Sequence, residues 1–124
     1  MEQTQHITTA QPPKLNAKQL ALVAALEKAT QAALAFKDVD DGGTCNFDSP
    51  ALDYRAAGLT ISKAKQAIEA AGLHSFDWNC YGSKMLVICG VGHGQGNRNT
   101  AMAEAAHKSL KEQGYPCGMY YQAD

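Results

Sequence analysis

Four glycines at alternate positions, Gly90, Gly92, Gly94 and Gly96, leave an unbroken apolar run from Met85 to Cys89. Such a run predicts a central strand covered on both faces. Glycine at its exit lets the backbone take left-handed turns and leaves the main chain open to close approach. A helical pattern then runs from about Asn99 to Gln113, with Met102, Ala105, Ala106, Ser109 and Leu110 inward, and Gly114 and Tyr115 end it. Pro116 to Gln122 reads as a last strand. This strand–helix–strand crossover would be parallel and right-handed if both strands share one sheet. The helix start that follows offers free N–H groups and a partial positive charge, which suits a phosphate.

Upstream, Asn16 and Gln19 have the spacing of a capping box, with Leu15 placed to staple onto Leu20. The first helix carries Leu22, Leu26, Ala29, Ala33 and Phe36 as a stripe. Leu20, Val23 and Leu34 broaden it beyond what one neighbour needs, which predicts cover on two sides, one of them another subunit. Asp40-Asp41-Gly42-Gly43 ends the helix, and a short extended segment follows. A second helix from Thr60 to Ala71 buries Ala64, Ala67 and Ile68, with Gly72 as its stop. A hairpin pairs Phe76–Tyr81 with Lys84–Val91 through Gly82-Ser83, a pair suited to a type II′ turn. The expected fold is a single α+β domain over residues 15–124. It has a small mixed sheet (the hairpin plus the crossover) packed with about three helices. Residues 1–14 are polar, contain Pro12 and Pro13, and read as a disordered N-terminal arm.

The 124 residues are enough for one modest core. Eleven basic residues against twelve acidic ones give a net charge of −1, which argues against nucleic acid, whose binders carry a basic excess. Cys45, Cys80, Cys89 and Cys117 form no C-x-x-C pair, so the spacing for a zinc site is missing and free thiols are expected. No secretory signal or membrane run precedes them, and a cytoplasmic protein is the expectation.

Candidate binding residues fall in two segments. In the glycine-rich turn, Arg98 brings a permanent charge, and Gln95, Asn97 and Asn99 can donate and accept hydrogen bonds. Neither a dinucleotide fingerprint nor a Walker loop is present. The plain alternative is an exposed loop with Asn99 as the helix cap. In Gly42-Gly43-Thr44-Cys45-Asn46-Phe47-Asp48-Ser49-Pro50, the polar Thr44, Asn46 and Asp48 alternate with Cys45 and Phe47. Asn46, Phe47 and Asp48 could read a base or ribose, with the ring stacking. A short edge strand with Phe47 in the core is the other reading. His93 with Asp48 is the weak enzymatic alternative, a phosphodiesterase or nucleotide hydrolase, and a protein-interaction module is a third.

Gly-Gly-Thr-Cys-Asn-Phe-Asp-Ser-Pro after a helix, with Gly-Gln-Gly-Asn-Arg-Asn-Thr opening the last one, resembles the type-one Thoeris anti-defence proteins of bacteriophages and prophages. The resemblance spans about Gly42 to Tyr121. It implies a non-catalytic sponge, without metal or cofactor, acting in the bacterial host cell. Family members sequester cyclic ADP-ribose isomers made by TIR-domain proteins and act as oligomers, and some take up cyclic oligonucleotides at a separate site. The width of the first helix's apolar stripe and the resemblance lead to the same expectation. Light scattering at micromolar concentration should give a mass well above the 13.2 kDa of one chain, and a monomer would contradict it.

Overall fold

A computed structural model of the protein describes residues 14–123. The arm expected over residues 1–14 lies outside them, apart from Lys14. The elements are α1 (Ala17–Leu34), β1 (Ser49–Leu52), α2 (Ile61–Ala70), β2 (His74–Cys80), β3 (Ser83–Cys89), α3 (Gly96–Glu112) and β4 (Cys117–Tyr120). The α+β architecture read from the sequence is present. Among the described residues no helix is long and apolar enough to cross a membrane.

The sheet order is β2-β3-β1-β4. β1 is antiparallel to both β3 and β4, so β3 and β4 run in the same direction, as the crossover requires. They are not neighbours, because β1 inserts between them and makes every adjacent pair antiparallel rather than mixed. Sequence reading sees β1 only as a short extended segment, because Pro50 is an unusual residue for an inner strand. Pro50 is tolerated because it pairs with Met119 on β4, while the register with β3 begins at Ala51.

Local signals explain the helix ends. The Asn16 side chain accepts from the Gln19 N–H at 2.9 Å, and the Gln19 side chain accepts from the Asn16 N–H at 2.9 Å, closing the capping box. Gln19 also donates to the Lys63 carbonyl and the Gln66 side chain, both at 3.0 Å, which fastens α1 to α2. Gly72 and Gly114 sit past the ends of α2 and α3. The next residues, Leu73 and Tyr115, return bonds to Ile68 and Leu110 at 3.1 and 3.0 Å.

α2 packs against β2 and β3, α3 against β1 and β4, and α1 against α2 and α3. Leu22, Leu26, Ile68, Leu52, Leu86, Ile88, Met102 and Leu110 meet in one buried core. Val23 and Leu34 pack partly against that core, but Leu20 and Phe36 remain exposed, so within one chain α1 is not covered over its whole apolar surface.

The opposite sheet face has no helix, yet Val87 and Ala51 on it are fully buried. Aromatic rings cover them. β2 and β4 are three strand spacings apart, roughly 14 Å, but the Phe76 and Tyr120 ring centroids meet at 5.3 Å, edge to face. Trp78 lies 5.1 Å from Tyr120 in the same manner. The side chains therefore reach across the inner strands, where the small Ala51 and Gly118 leave room for them.

The hairpin corrects one sequence expectation. Cys80 pairs with Ser83, so the turn residues are Tyr81 and Gly82 rather than Gly82 and Ser83. Both have positive φ, 51° and 88°, which is the pattern of a type I′ turn rather than II′. The Asn79 side chain accepts from the Gly82 N–H at 2.9 Å and holds this register. Tyr81 is fully exposed and gains no packing in return for its left-handed backbone. Tyr81→Asn should therefore stabilise the protein by about 1 kcal/mol, read as a higher urea midpoint at unchanged slope.

Candidate functional site

The two segments singled out in the sequence lie side by side. Residues 42–48 run along the start of α3, and the contact is polar throughout. Asn99 Nδ2 donates to Asn46 Oδ1 at 2.7 Å and to the Asp48 carbonyl at 3.2 Å. Asn46 Nδ2 donates to the Gly96 carbonyl at 3.1 Å and to Thr100 Oγ1 at 3.0 Å. The Thr100 hydroxyl donates to Asp48 Oδ2 at 2.8 Å, and the Gln122 N–H donates to Asp48 Oδ1 at 2.9 Å. Asp48 is buried, and each carboxylate oxygen accepts from the chain itself.

The approach is closest at Gly96. The Asn97 N–H donates to the Gly42 carbonyl at 2.8 Å, and a Cβ on Gly96 would collide with that carbonyl oxygen. This explains why α3 begins at Gly96, three residues before the start read from the sequence. Gln95 is its N-cap and makes no side-chain cap bond. Asn99, expected as a possible cap, instead lies within the helix and reaches sideways to the 46–48 segment.

That segment pairs with the C-terminal one, Asn46 forming an antiparallel bridge with Ala123. Asn46 Oδ1 accepts from the Asp48 N–H at 3.1 Å, a local side-chain turn that competes with strand geometry. Asn46 and Asp48 still face one way, both meeting Thr100 Oγ1, as the alternation predicts, and Cys45, Asn46, Phe47 and Asp48 all border one cavity of about 490 Å³. Phe47 is 59% exposed, so it is not a core residue. The cavity opens where β3 ends and β1 begins. Gln95, Asn99, Gly90, Gly94, Cys89 and Ser49 also line it, with Phe76 and Tyr120 from the open sheet face.

Of the residues nominated from sequence, Asn46, Phe47, Asp48, Gln95 and Asn99 come together here. Asn97 and Arg98 lie on the other side of the turn. The Asn97 side chain packs against Gly43. Arg98 Nε donates to the Val39 carbonyl at 2.9 Å, and its Nη1 lies 3.8 Å from the Asp41 carboxylate. Arg98 thus has a structural partner and is not the free cation its position suggests. His93 is exposed and outside the lining, and it makes no hydrogen bond to Asp48.

Sequence reasoning missed Thr100 and Gln122, which fix Asp48, and Phe76, Tyr120 and Cys89, which wall the cavity. Thr100 belongs to the same conspicuous motif, but nothing local reveals that its hydroxyl bridges two residues some fifty positions away. Cys45 Sγ donates to Gln95 Oε1 at 2.7 Å, and burial pushes the Cys89 thiol up from its ordinary range. All four cysteines are free. Among the described residues no group of three or more His, Cys, Asp and Glu side chains is placed to hold a metal ion.

The C-terminal segment is part of the site. The Phe47 N–H donates to the Gln122 carbonyl at 2.7 Å, and Asn46 bridges to Ala123. Tyr121 donates its hydroxyl to Glu104 at 2.7 Å, and that bond, followed by burial, pushes its phenol up to about 12. A second hollow of about 700 Å³ between α1 and α3, beside Phe36, Glu104 and Lys108, contains none of the nominated residues.

In comparisons with known proteins, no family model, curated protein or solved structure matches the chain.

Thr100→Val should cost about 1–3 kcal/mol, because Asp48 Oδ2 loses its donor and Asn46 loses an acceptor in a part-buried site. Chemical unfolding checks this, and an unchanged midpoint would mean the network contributes nothing to stability.

Proposed function

We propose that the protein binds and sequesters a cyclic ADP-ribose-type nucleotide without turning it over, and so blocks Thoeris anti-phage signalling. One observation carries the reading: the two segments on which the resemblance rests, about fifty residues apart in sequence, border a single cavity. Its volume falls in the range of small-ligand sites. Phe47 offers an exposed ring for a base, and Asn46, Gln95 and Asn99 line the same cavity. Phosphates would meet main-chain N–H groups at the glycine turn. Among the described residues, those of His93, Gly94 and Gln95 donate to no other backbone carbonyl. Such oriented N–H groups favour anions. The proposal places the protein in the bacterial host cell as phage- or prophage-encoded, working as a homo-oligomer.

Binding without turnover is favoured over hydrolysis by the state of Asp48. Asp48 is buried and held by Thr100 and Gln122, and His93, its nominated acid–base partner, is exposed outside the cavity lining and makes no hydrogen bond to it. The test is incubation with a cyclic ADP-ribose isomer, removal of free ligand, and heat denaturation. Release of intact ligand in stoichiometric amount is expected. Altered ligand would make the protein an enzyme. No uptake would sink the nucleotide reading and leave a protein-interaction module.

A further inference from the structure

The cavity has a wall that neither sequence segment provides. Phe76 from β2 and Tyr120 from β4 both line it, and their rings make an edge-to-face pair with an interplanar angle of 82°. Phe76 is 40% exposed, so ring surface faces the cavity without cover from the chain. Phe47 borders the same space from the 42–48 segment. Trp78 touches Tyr120 from outside the cavity lining.

The charge of the lining is as informative as its rings. No lysine, arginine or histidine contributes, and the one carboxylate is the buried Asp48. An anionic group placed inside would lose water and sit near a like charge with no cation to offset it. A flat uncharged ring meets the opposite balance. It exchanges water for aromatic surface, and its edge finds amide groups, including Gln95 Nε2, which donates to no other residue among those described.

We propose that Phe76 and Tyr120 contact the ligand directly, and that the group they receive is an uncharged planar heteroaromatic ring of the nucleobase class. Any phosphate stays at the rim, beside the glycine turn. The inference rests on the binding reading of the same site, but it concerns which part of a ligand enters and which residues select it.

The full chain supplies its own reporter, since Trp78 is its single tryptophan and packs on Tyr120. Adenosine, raised to millimolar concentration, should change Trp78 emission saturably and give matching heat by calorimetry. Ribose 5-phosphate, which has the charge but no ring, should do neither. Phe76→Ala, titrated well below its own melting temperature, should weaken adenosine at least tenfold, and Phe76→Tyr should restore it. Tyr120→Leu is the second variant, should Phe76→Ala fold poorly. The proposal is overturned if calorimetry finds no adenosine binding, if ribose 5-phosphate binds instead, or if the folded variants bind adenosine as the parent does. Adenosine binding without uptake of cyclic ADP-ribose would support the ring subsite and defeat sequestration. Uptake of cyclic ADP-ribose that both folded variants retain in full would leave sequestration standing and defeat the subsite.

Discussion

The carboxylate of Asp48 joins three parts of the chain that are distant in sequence. Thr100 brings the first turns of α3 to one oxygen, and Gln122 brings the C-terminal segment to the other. Asn46, two residues before Asp48, is tied to α3 through Asn99 and Thr100. A buried carboxylate is costly unless its lone pairs are occupied, and here each oxygen accepts from the chain itself. The arrangement depends on the close passage of Gly42 over Gly96, which any side chain at position 96 would obstruct. Where residues 46–48 lie, where Phe47 emerges and where α3 begins all follow from these contacts.

The open sheet face answers a different constraint. Two inner-strand residues, Ala51 and Val87, must leave water although all three helices occupy the other side. Phe76 and Tyr120 achieve this by reaching inward from opposite edges until their rings meet. A pair of rings can shield small residues while keeping its outer surface wet, and at one end that surface becomes the cavity wall. Core-forming and ligand-facing duties are thus combined in the same side chains. For that reason a truncation there needs a melting temperature beside its binding curve.

Much of the fold was legible because its signals are local. Asn16 with Gln19, Gly72 with Leu73 and Gly114 with Tyr115 are short-range patterns whose physics operates within one turn of chain. The apolar run Met85–Cys89 was legible because burial on both faces erases alternation. Less visible were the features decided by pairing between distant segments. β1 contains Pro50 and has only four residues, so nothing local announces an inner strand. The hairpin register shifted by one residue because Cys80 and Ser83 are set by the whole ladder, and the Asn79 side chain adds its own bond to Gly82. At the site, residue types were informative and directions were not. Arg98 has the charge for a phosphate, yet its neighbours Val39 and Asp41 take its guanidinium. Nothing in the sequence marks Phe76 and Tyr120 as ligand-facing, because that role exists only once β2 and β4 flank the inner strands.

A division of labour follows within the cavity. Asn46, Asp48 and Asn99 are the residues a sequence reader picks first, and they spend most of their hydrogen-bonding capacity on each other and on the backbone. Their contribution to binding is then mainly to hold the floor in place before a ligand arrives. A floor fixed in advance lowers the entropy lost on association. Contact energy must come instead from groups that remain uncommitted: the rings of Phe47, Phe76 and Tyr120 and the amide nitrogen of Gln95. Substituting the polar knot therefore acts on affinity by way of the fold, whereas substituting the rings removes ligand contacts together with the cover over Ala51 and Val87. The conspicuous motif marks how the site is built, and the less conspicuous aromatic wall decides what it can hold.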